Sequence, residues 1–294
     1  MTASVRRAGS APPGTREVIV GDLNADTDWE EALTGQEYVV HLAARVHVMS
    51  DTSSDPLEAF REANTSGTLR LAEQAIGAGV ARIIYVSSIK AQGEARSLPY
   101  SAGDPASPTD AYGISKLLAE EGLRTLEHKF ALGIVILRPP LVYGEGVGGN
   151  LLRLMRIIER GVPLPFASVR NERAMISVEN FANIIGLCIS PDVESAESVL
   201  VADSETLSTA DIVRELAMGL GRKPRLFPFP PRLLVLAGTL CGMSAELERL
   251  IGNLRVDSNI SQLSPDYEEQ VAARIALRDT ARAFAVHQTA RFGK

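Results

Sequence analysis

Cysteine is nearly absent. The 294 residues hold two, Cys188 and Cys241, both within apolar stretches. That argues against a disulfide framework or a cysteine-built metal cluster and suits a reducing, cytoplasmic setting. Histidine is scarce as well. His41, His47, His128 and His287 show no metal-ligand spacing with the cysteines, so no metal is expected. Positive charge is in deficit: 30 Lys and Arg stand against 36 Asp and Glu, a net −6. This disfavours a nucleic-acid partner while leaving room for a local basic pocket that holds phosphates. Long apolar runs are missing too. The most apolar stretch, residues 233–243, is too short to span a bilayer. It reads as a core helix, and no membrane insertion is expected. Residues 1–7 lack the apolar centre of a signal peptide.

What is present is ordinary soluble-protein material, 45% hydrophobic and 22% charged, with room for one large or two modest domains. Strand patterns alternate with helical ones. Residues 17–23 read as a strand and turn. Residues 28–33 read as a short helix capped by Asp26 or Thr27. Strands are expected at 38–44, 82–86 and 133–137, and helices at 56–78 and 112–130. This order predicts an α/β fold with a doubly wound parallel sheet. Past residue 145 the pattern changes. Helices at 150–160 and 209–220 mix with short strands near 198–201 and 226–227, and Pro228, Pro230 and Pro231 interrupt the chain. The expected division is a dinucleotide-type domain over 1–145 and a smaller substrate lobe over 146–294.

Tyr112 and Lys116 carry the strongest chemical signal. Four residues apart at the start of a helical pattern, they share one helix face. A tyrosine titrates near 10, and a neighbouring ammonium favours its phenolate. The pair then reads as a proton donor or acceptor usable near neutral pH. Residues 81–88 read as a buried strand ending in Ser87 and Ser88, and the carboxyl ends of parallel strands are where such sheets place ligands. A serine hydroxyl there can hold a substrate oxygen, which completes a carbonyl/alcohol site suited to hydride transfer.

Several stretches occur together and in order: Gly21-Asp22-Leu23, His41-Leu42-Ala43-Ala44, Asn64-Thr65-Ser66-Gly67-Thr68, Ser87-Ser88-Ile89-Lys90, Tyr112 to Lys116, and Arg138-Pro139-Pro140-Leu141-Val142-Tyr143-Gly144. With them the chain resembles the extended short-chain dehydrogenase/reductase family in its NAD-dependent epimerase/dehydratase branch. It looks closest to the UDP-glucose 4-epimerase-like proteins of bacterial O-antigen and capsule pathways. The resemblance covers roughly residues 3–260 and departs in the tail from about 261. It also departs at the start. The family opens with a strand and a Gly-x-x-Gly-x-x-Gly turn that meets the cofactor pyrophosphate. Here residues 2–7 look like the family's second strand, so a truncated first strand and helix are expected, with weak NAD(P) binding and exposed strand edges. Gly144, Gly146 and Gly149 match G-x-G-x-x-G, but prolines separate them from their strand; they read as a flexible turn of the substrate half.

The resemblance implies roles. Tyr112 is the acid/base, Lys116 its modulator and ribose ligand, and Ser88 the hydroxyl on the substrate oxygen. Asp22 and Leu23 would frame the adenine, and Leu42, Ala43, Ala44 and Pro139 would line NAD(P). Asn64, unfavourable within a helix, reads as hydrogen-bonded to nearby backbone. Arg6 and Arg7 stand where NAD-specific members carry an acid. They suit a 2′-phosphate, tilting the choice towards NADP, or are solvated surface charges. Asn150, Arg173 and Arg249 would contact the diphosphate of a UDP-sugar, with Arg255 able to stand in for Arg249. Related dehydratases carry an Asp-Glu pair after the Ser/Thr; here those positions are Ile89 and Lys90, so dehydration is disfavoured. Two reactions remain, a C4 epimerase or a 4-keto reductase of a UDP-hexose in polysaccharide biosynthesis. The third reading is an inactive relic or nucleotide-sugar-binding subunit. Family resemblance also implies a homodimer.

Overall fold

The computed structural model describes residues 1–46, 55–94, 96, 98–191, 193, 195–240, 247 and 250–292. Its centre is a parallel sheet of four strands in the order β3 (Tyr38–His41), β4 (Arg82–Val86), β5 (Gly133–Arg138), β8 (Ala196–Leu200). Alternation along β4 and β5 sorts their side chains onto two faces. Ile83, Tyr85, Ile134 and Ile136 pack on one side with Leu71, Ala72, Ala119 and Leu123. Those partners come from α3 (Gly67–Gly77) and α5 (Ala111–Lys129). Ile84, Val135 and Leu137 pack on the other with Phe181, Ile184 and Cys188 of α7 (Val178–Cys188). A strand buried on both faces needs this unbroken Val/Ile/Leu run, and each such side chain contributes about 1.5–3 kcal/mol.

β1 (Thr2–Val5) and β2 (Arg16–Ile19) form a separate parallel pair. Side-chain ties join the segment after it to the rest. Gln74 accepts from the Trp29 backbone N–H and donates to the Thr27 carbonyl, and Trp29 sits in the α3 core. The short helix α1 (Glu30–Leu33) has Trp29 at its N-cap, not Asp26 or Thr27. Thr27 is drawn off to the Asp22 carbonyl instead, and Asp28 accepts from the Glu30 backbone N–H.

The helix expected over 56–78 forms in three pieces: α2 (Pro56–Arg61), a π-helical turn over Glu62–Ser66, and α3. The third core belongs to the second half of the chain. There α6 (Gly149–Glu159), α8 (Thr209–Gly219) and α10 (Ala273–Phe292) pack around Leu151, Met155, Val213, Leu216 and Leu277. β6 (Leu141–Tyr143) pairs with β7 (Met175–Ser177). The second half also returns to the main sheet, since β8 pairs with β5. Residues 226–227 make one isolated bridge, Leu164 to Leu226, rather than a strand.

One helix is not where the sequence puts it. In α9 (Pro231–Leu240), Leu234 and Gly238 are buried, while Leu233, Val235, Leu236 and Leu240 face out. One edge of the helix lies against the lobe; residues 241–243, the end of the apolar run, lie outside the described residues.

Candidate active site

Residue types fix the position of Tyr112. Asp110 caps α5, accepting from the Gly113 backbone N–H at 2.7 Å, as an Asp at this position should. Gly113 lets the helix start lie against α4 (Ile89–Gln92): a Cβ there would stand 2.4 Å from the Lys90 carbonyl oxygen. Ser88, the N-cap of α4, thereby comes within hydrogen-bonding reach of the Tyr112 phenol. The two hydroxyls are thus brought together at the end of β4. Ser87, by contrast, turns inward and hydrogen-bonds Glu120.

Lys116 lies one turn after Tyr112 and is 1% exposed. Its ammonium sits over the Tyr85 ring, 4.3 Å from the centroid, a cation–π contact. Burial pushes the Lys116 amine down to about 7, with Glu120 pulling the other way. Burial likewise pushes the Tyr112 phenol up to about 12; the Ser88 hydrogen bond lowers it, and the Asp110 charge raises it further. This corrects the expectation of a phenolate favoured by Lys116. Desolvation outweighs every other influence on Tyr112, and the ammonium rests on Tyr85. At neutral pH Tyr112 is a phenol, ready to donate.

Sequence reasoning missed the frame behind this pair. Arg138, at the end of β5, makes a buried ion pair with Glu120, its Nε lying 3.0 and 3.2 Å from the two carboxylate oxygens. It also hydrogen-bonds Gln92 of α4. One carboxylate thus ties α5 to the ends of β4 and β5. The signal lay in spacing: Tyr112, Lys116 and Glu120 recur every four residues and share one face. Lys90 pairs with both Glu94 and Asp110, which holds those carboxylates at the site's rim.

Asn64, in the π turn, accepts from the Arg45 backbone N–H at 2.7 Å and donates to the Arg45 carbonyl and the Ser115 hydroxyl, both at 3.0 Å. That is the backbone role expected of it, extended to clamp α5 beside Tyr112. π turns of this kind gather at functional sites. His41 stacks on Tyr85 and lies 3.0 Å from the Thr68 hydroxyl. Thr68 gives its proton to the Asn64 carbonyl, so His41 Nε2 must be the donor to Thr68.

The candidate cofactor residues lie at the carboxyl ends of the strands. Arg6 follows β1 and Asp22 follows β2, and the two form an exposed ion pair with each other. Arg7 is exposed beside them. Leu23 packs against α3 at Gly67 and within the core, which leaves Asp22 as the accessible member of that pair. Strand β3 stops at His41, earlier than expected. Leu42, 61% exposed, and Ala43 lie open after it, with Ala44 half-buried. Pro139 is buried, its carbonyl accepting from Ile89 N–H.

The candidate substrate residues are spread over the second half. Asn150 is half-buried in the first turn of α6. Burial pushes the Arg173 guanidinium down, while the Glu94 charge acts the other way. That brings Arg173 within electrostatic reach of the α4 end of the site. Arg255 pairs with Glu172 at 3.3 Å. Arg249, like His47 and Cys241, lies outside the described residues. The Gly144–Gly149 turn stands between β6 and α6, with Gly146 and Gly149 at positive φ.

A family model described as NAD dependent epimerase/dehydratase family matches residues 2–201. A UDP-glucose 4-epimerase of Vibrio cholerae is 41% identical over 268 residues, covering 90% of this chain and 82% of that protein. A ceramide reductase of Caulobacter vibrioides is 30% identical over 226 residues, 76% of this chain and 63% of that protein. In fold the chain is similar to UDP-glucuronic acid 4-epimerase from Bacillus cereus in complex with NAD. The TM-score is 0.73 at 19% identity, over 94% of this chain and 82% of that one.

Proposed function

The chain belongs to the NAD dependent epimerase/dehydratase family, and from that premise we propose an enzyme that moves a hydride at C4 of a UDP-hexose with NAD(P). The observation that carries the reading is the meeting of Ser88 and Tyr112 at the end of β4 with Lys116 one turn on. Two hydroxyls converging on one point can hold one substrate oxygen. Ser88 fixes that oxygen, and Tyr112 donates a proton to it as C4 gains hydride. In the reverse sense Tyr112 takes the proton as hydride leaves. When bound, NAD(P) supplies or accepts the hydride. Arg6 and Asp22 would hold its adenosine end, and Leu42, Ala43, Pro139 and Lys116 its nicotinamide half. These residues fit the group: the charged pair and the exposed Leu42 stand at strand carboxyl ends, where such sheets take ligands. The sequence carries no Gly-x-x-Gly-x-x-Gly turn for the pyrophosphate between them.

The half from residue 146 would supply the diphosphate contacts, with Asn150 and Arg173 in front. Dehydration is disfavoured because Ile89 and Lys90 occupy the positions of the eliminating acids, and Lys90 holds Glu94 and Asp110 in ion pairs. Between the remaining reactions, Arg6 at the end of β1 favours the one-way reduction of a 4-keto sugar with NADPH; the Vibrio cholerae relative favours epimerisation. Both belong to supply of sugars for a surface polysaccharide. Incubation with UDP-hexoses and with UDP-4-keto-hexoses, following absorbance of reduced nicotinamide, separates them. Epimerisation changes the sugar without net oxidation, and reduction consumes NADPH mole for mole. Tyr112→Phe should cut either turnover about a hundredfold or more without lowering the unfolding temperature; a near-normal rate would remove Tyr112 from the chemistry. A chain that binds UDP-sugar in calorimetry yet turns over neither substrate would be the binding subunit instead.

A further inference from the structure

The outward face of α9 is the largest departure from what a soluble surface normally shows. Leu233, Val235, Leu236 and Leu240 are 49%, 51%, 56% and 80% exposed. Leu233, Leu236 and Leu240, at i, i+3 and i+7, form one stripe along the helix. The segment leading in adds Phe227, exposed and edge-on to Phe229. Its backbone bonds to residues 164 and 167 bring exposed Val162 alongside. Single exposed apolar residues are common, but a contiguous group marks an interaction surface.

Charge says what the surface meets. Arg222, Lys223 and Arg225 are exposed on the segment that leads into α9, and Arg232 is exposed in its first turn. The Arg225 guanidinium donates to the Gly161 carbonyl at 3.1 Å, which joins this segment to the end of α6, where Arg156 and Arg160 are exposed. None of these six cations carries an ion pair among the described residues. On residues 156–165 and 221–240 the one carboxylate is Glu159. A chain of net charge −6 therefore places a run of cations in the segment that leads into this aliphatic stripe and in its first turn. Cations rimming an apolar helix face are the pattern of a helix lying in the plane of an anionic bilayer, its leucines below the headgroups and its arginines among the phosphates. An acidic protein partner would match the charges, but it would not call for an exposed aliphatic stripe beside them.

We propose that α9 and the 222–232 segment dock this protein peripherally on an anionic phospholipid surface. The test is sedimentation of the full chain with vesicles of phosphatidylcholine alone and of equal parts phosphatidylcholine and phosphatidylglycerol. At low salt at least about tenfold more protein should partition onto the anionic vesicles, and high salt should reverse it. Arg222→Glu with Lys223→Glu should lower that partition about tenfold, and so should Leu236→Ser with Leu240→Ser. Because all four side chains are exposed, thermal unfolding should be unchanged in both variants, which shows that lost binding is not lost folding. No partition, equal partition onto both vesicles, or partition unaffected by either variant overturns the proposal. Concentration-dependent self-association without lipid, abolished by the leucine variant, would also overturn it and assign the face to a second copy of the chain.

Discussion

β4 and β5 are buried on both faces almost from end to end, whereas β1 and β2 pair only with each other among the described residues and leave Ile19 exposed. All four strands are parallel and carry β-branched residues, so propensity does not separate them. What differs is cover. The inner strands have helices on both sides and neighbours on both edges. The outer pair is joined to the body through Trp29, Gln74 and Leu23. Parallel sheets depend on such cover, and local stability follows it. The consequence for function is an unequal site. On the proposed function, proton transfer would rest on the dense part, through Ser88, Tyr112 and Lys116. The adenosine end of a dinucleotide would rest on the sparse part, through Arg6 and Asp22.

The sharpest way to break this contrast is to damage the dense part from within. Glu120 and Arg138 are both nearly fully buried, and the same carboxylate also takes the Ser87 hydroxyl. Removing one member leaves the other charged and unpartnered in the core. Glu120→Ala should lower the free energy of unfolding by about 3–5 kcal/mol. Glu120→Leu combined with Arg138→Met should restore most of the loss, because a matched apolar pair carries no stranded charge. Chemical denaturation of the three proteins decides it. A loss under about 1 kcal/mol for the single change would resemble an exposed pair and would mean that packing alone holds the sheet.

Much of this contrast was legible in the residues. The runs Arg82–Val86 and Gly133–Arg138 announce buried strands, and Asp110, Tyr112 and Lys116 announce a capped helix with the candidate pair on one face. Other features were not, because they depend on what the chain meets in space. The π turn at Glu62–Ser66 exists because Asn64 bonds to Arg45 and Ser115, nineteen and fifty-one residues away. The high proton affinity of Tyr112 follows from burial that no spacing encodes. The exposed leucines of α9 share a composition with core helices; only the lobe's shape decides which face is covered. The pairing of Arg6 with Asp22 likewise needed the parallel register of β1 on β2.

A second prediction probes the border between the two regions, where β3 ends. His41 is buried against Tyr85 and Thr68. Burial, with the Lys116 charge nearby, pushes its imidazole from 6.5 down to about 3. The folded value lies below the unfolded one. Between about pH 6.5 and 3 the unfolded chain therefore binds the extra proton, and stability falls as pH falls through that window. His41→Gln keeps a donor towards Thr68 but cannot titrate. Its unfolding midpoint should decline less steeply than that of the parent from pH 7 to pH 4, with the curves parallel above pH 7. Parallel curves throughout would mean that the imidazole opens to water before the sheet unfolds, placing β3 with the sparse part.

The smallest effect is expected where the pair is most exposed. Arg6 and Asp22 each neutralise the other at the ends of β1 and β2, and water screens such a contact. Arg6→Ala should leave the unfolding midpoint unchanged. Its effect should fall on cofactor choice. A guanidinium held beside Asp22 is already placed at the strand ends where a ribose would lie, but the same carboxylate repels a 2′-phosphate. The net preference for NADPH over NADH should therefore be modest, and it should fall by less than about tenfold in Arg6→Ala. Asp22→Asn should shift it the other way, because removing the carboxylate frees the guanidinium for phosphate. Fluorescence titration with both cofactors reads the ratio. Equal ratios in the parent and both variants would leave Arg6 and Asp22 as a surface pair with no part in discrimination. A ratio that moves only in Arg7→Ala would shift the role to the neighbouring arginine, which faces solvent without an ion pair among the described residues.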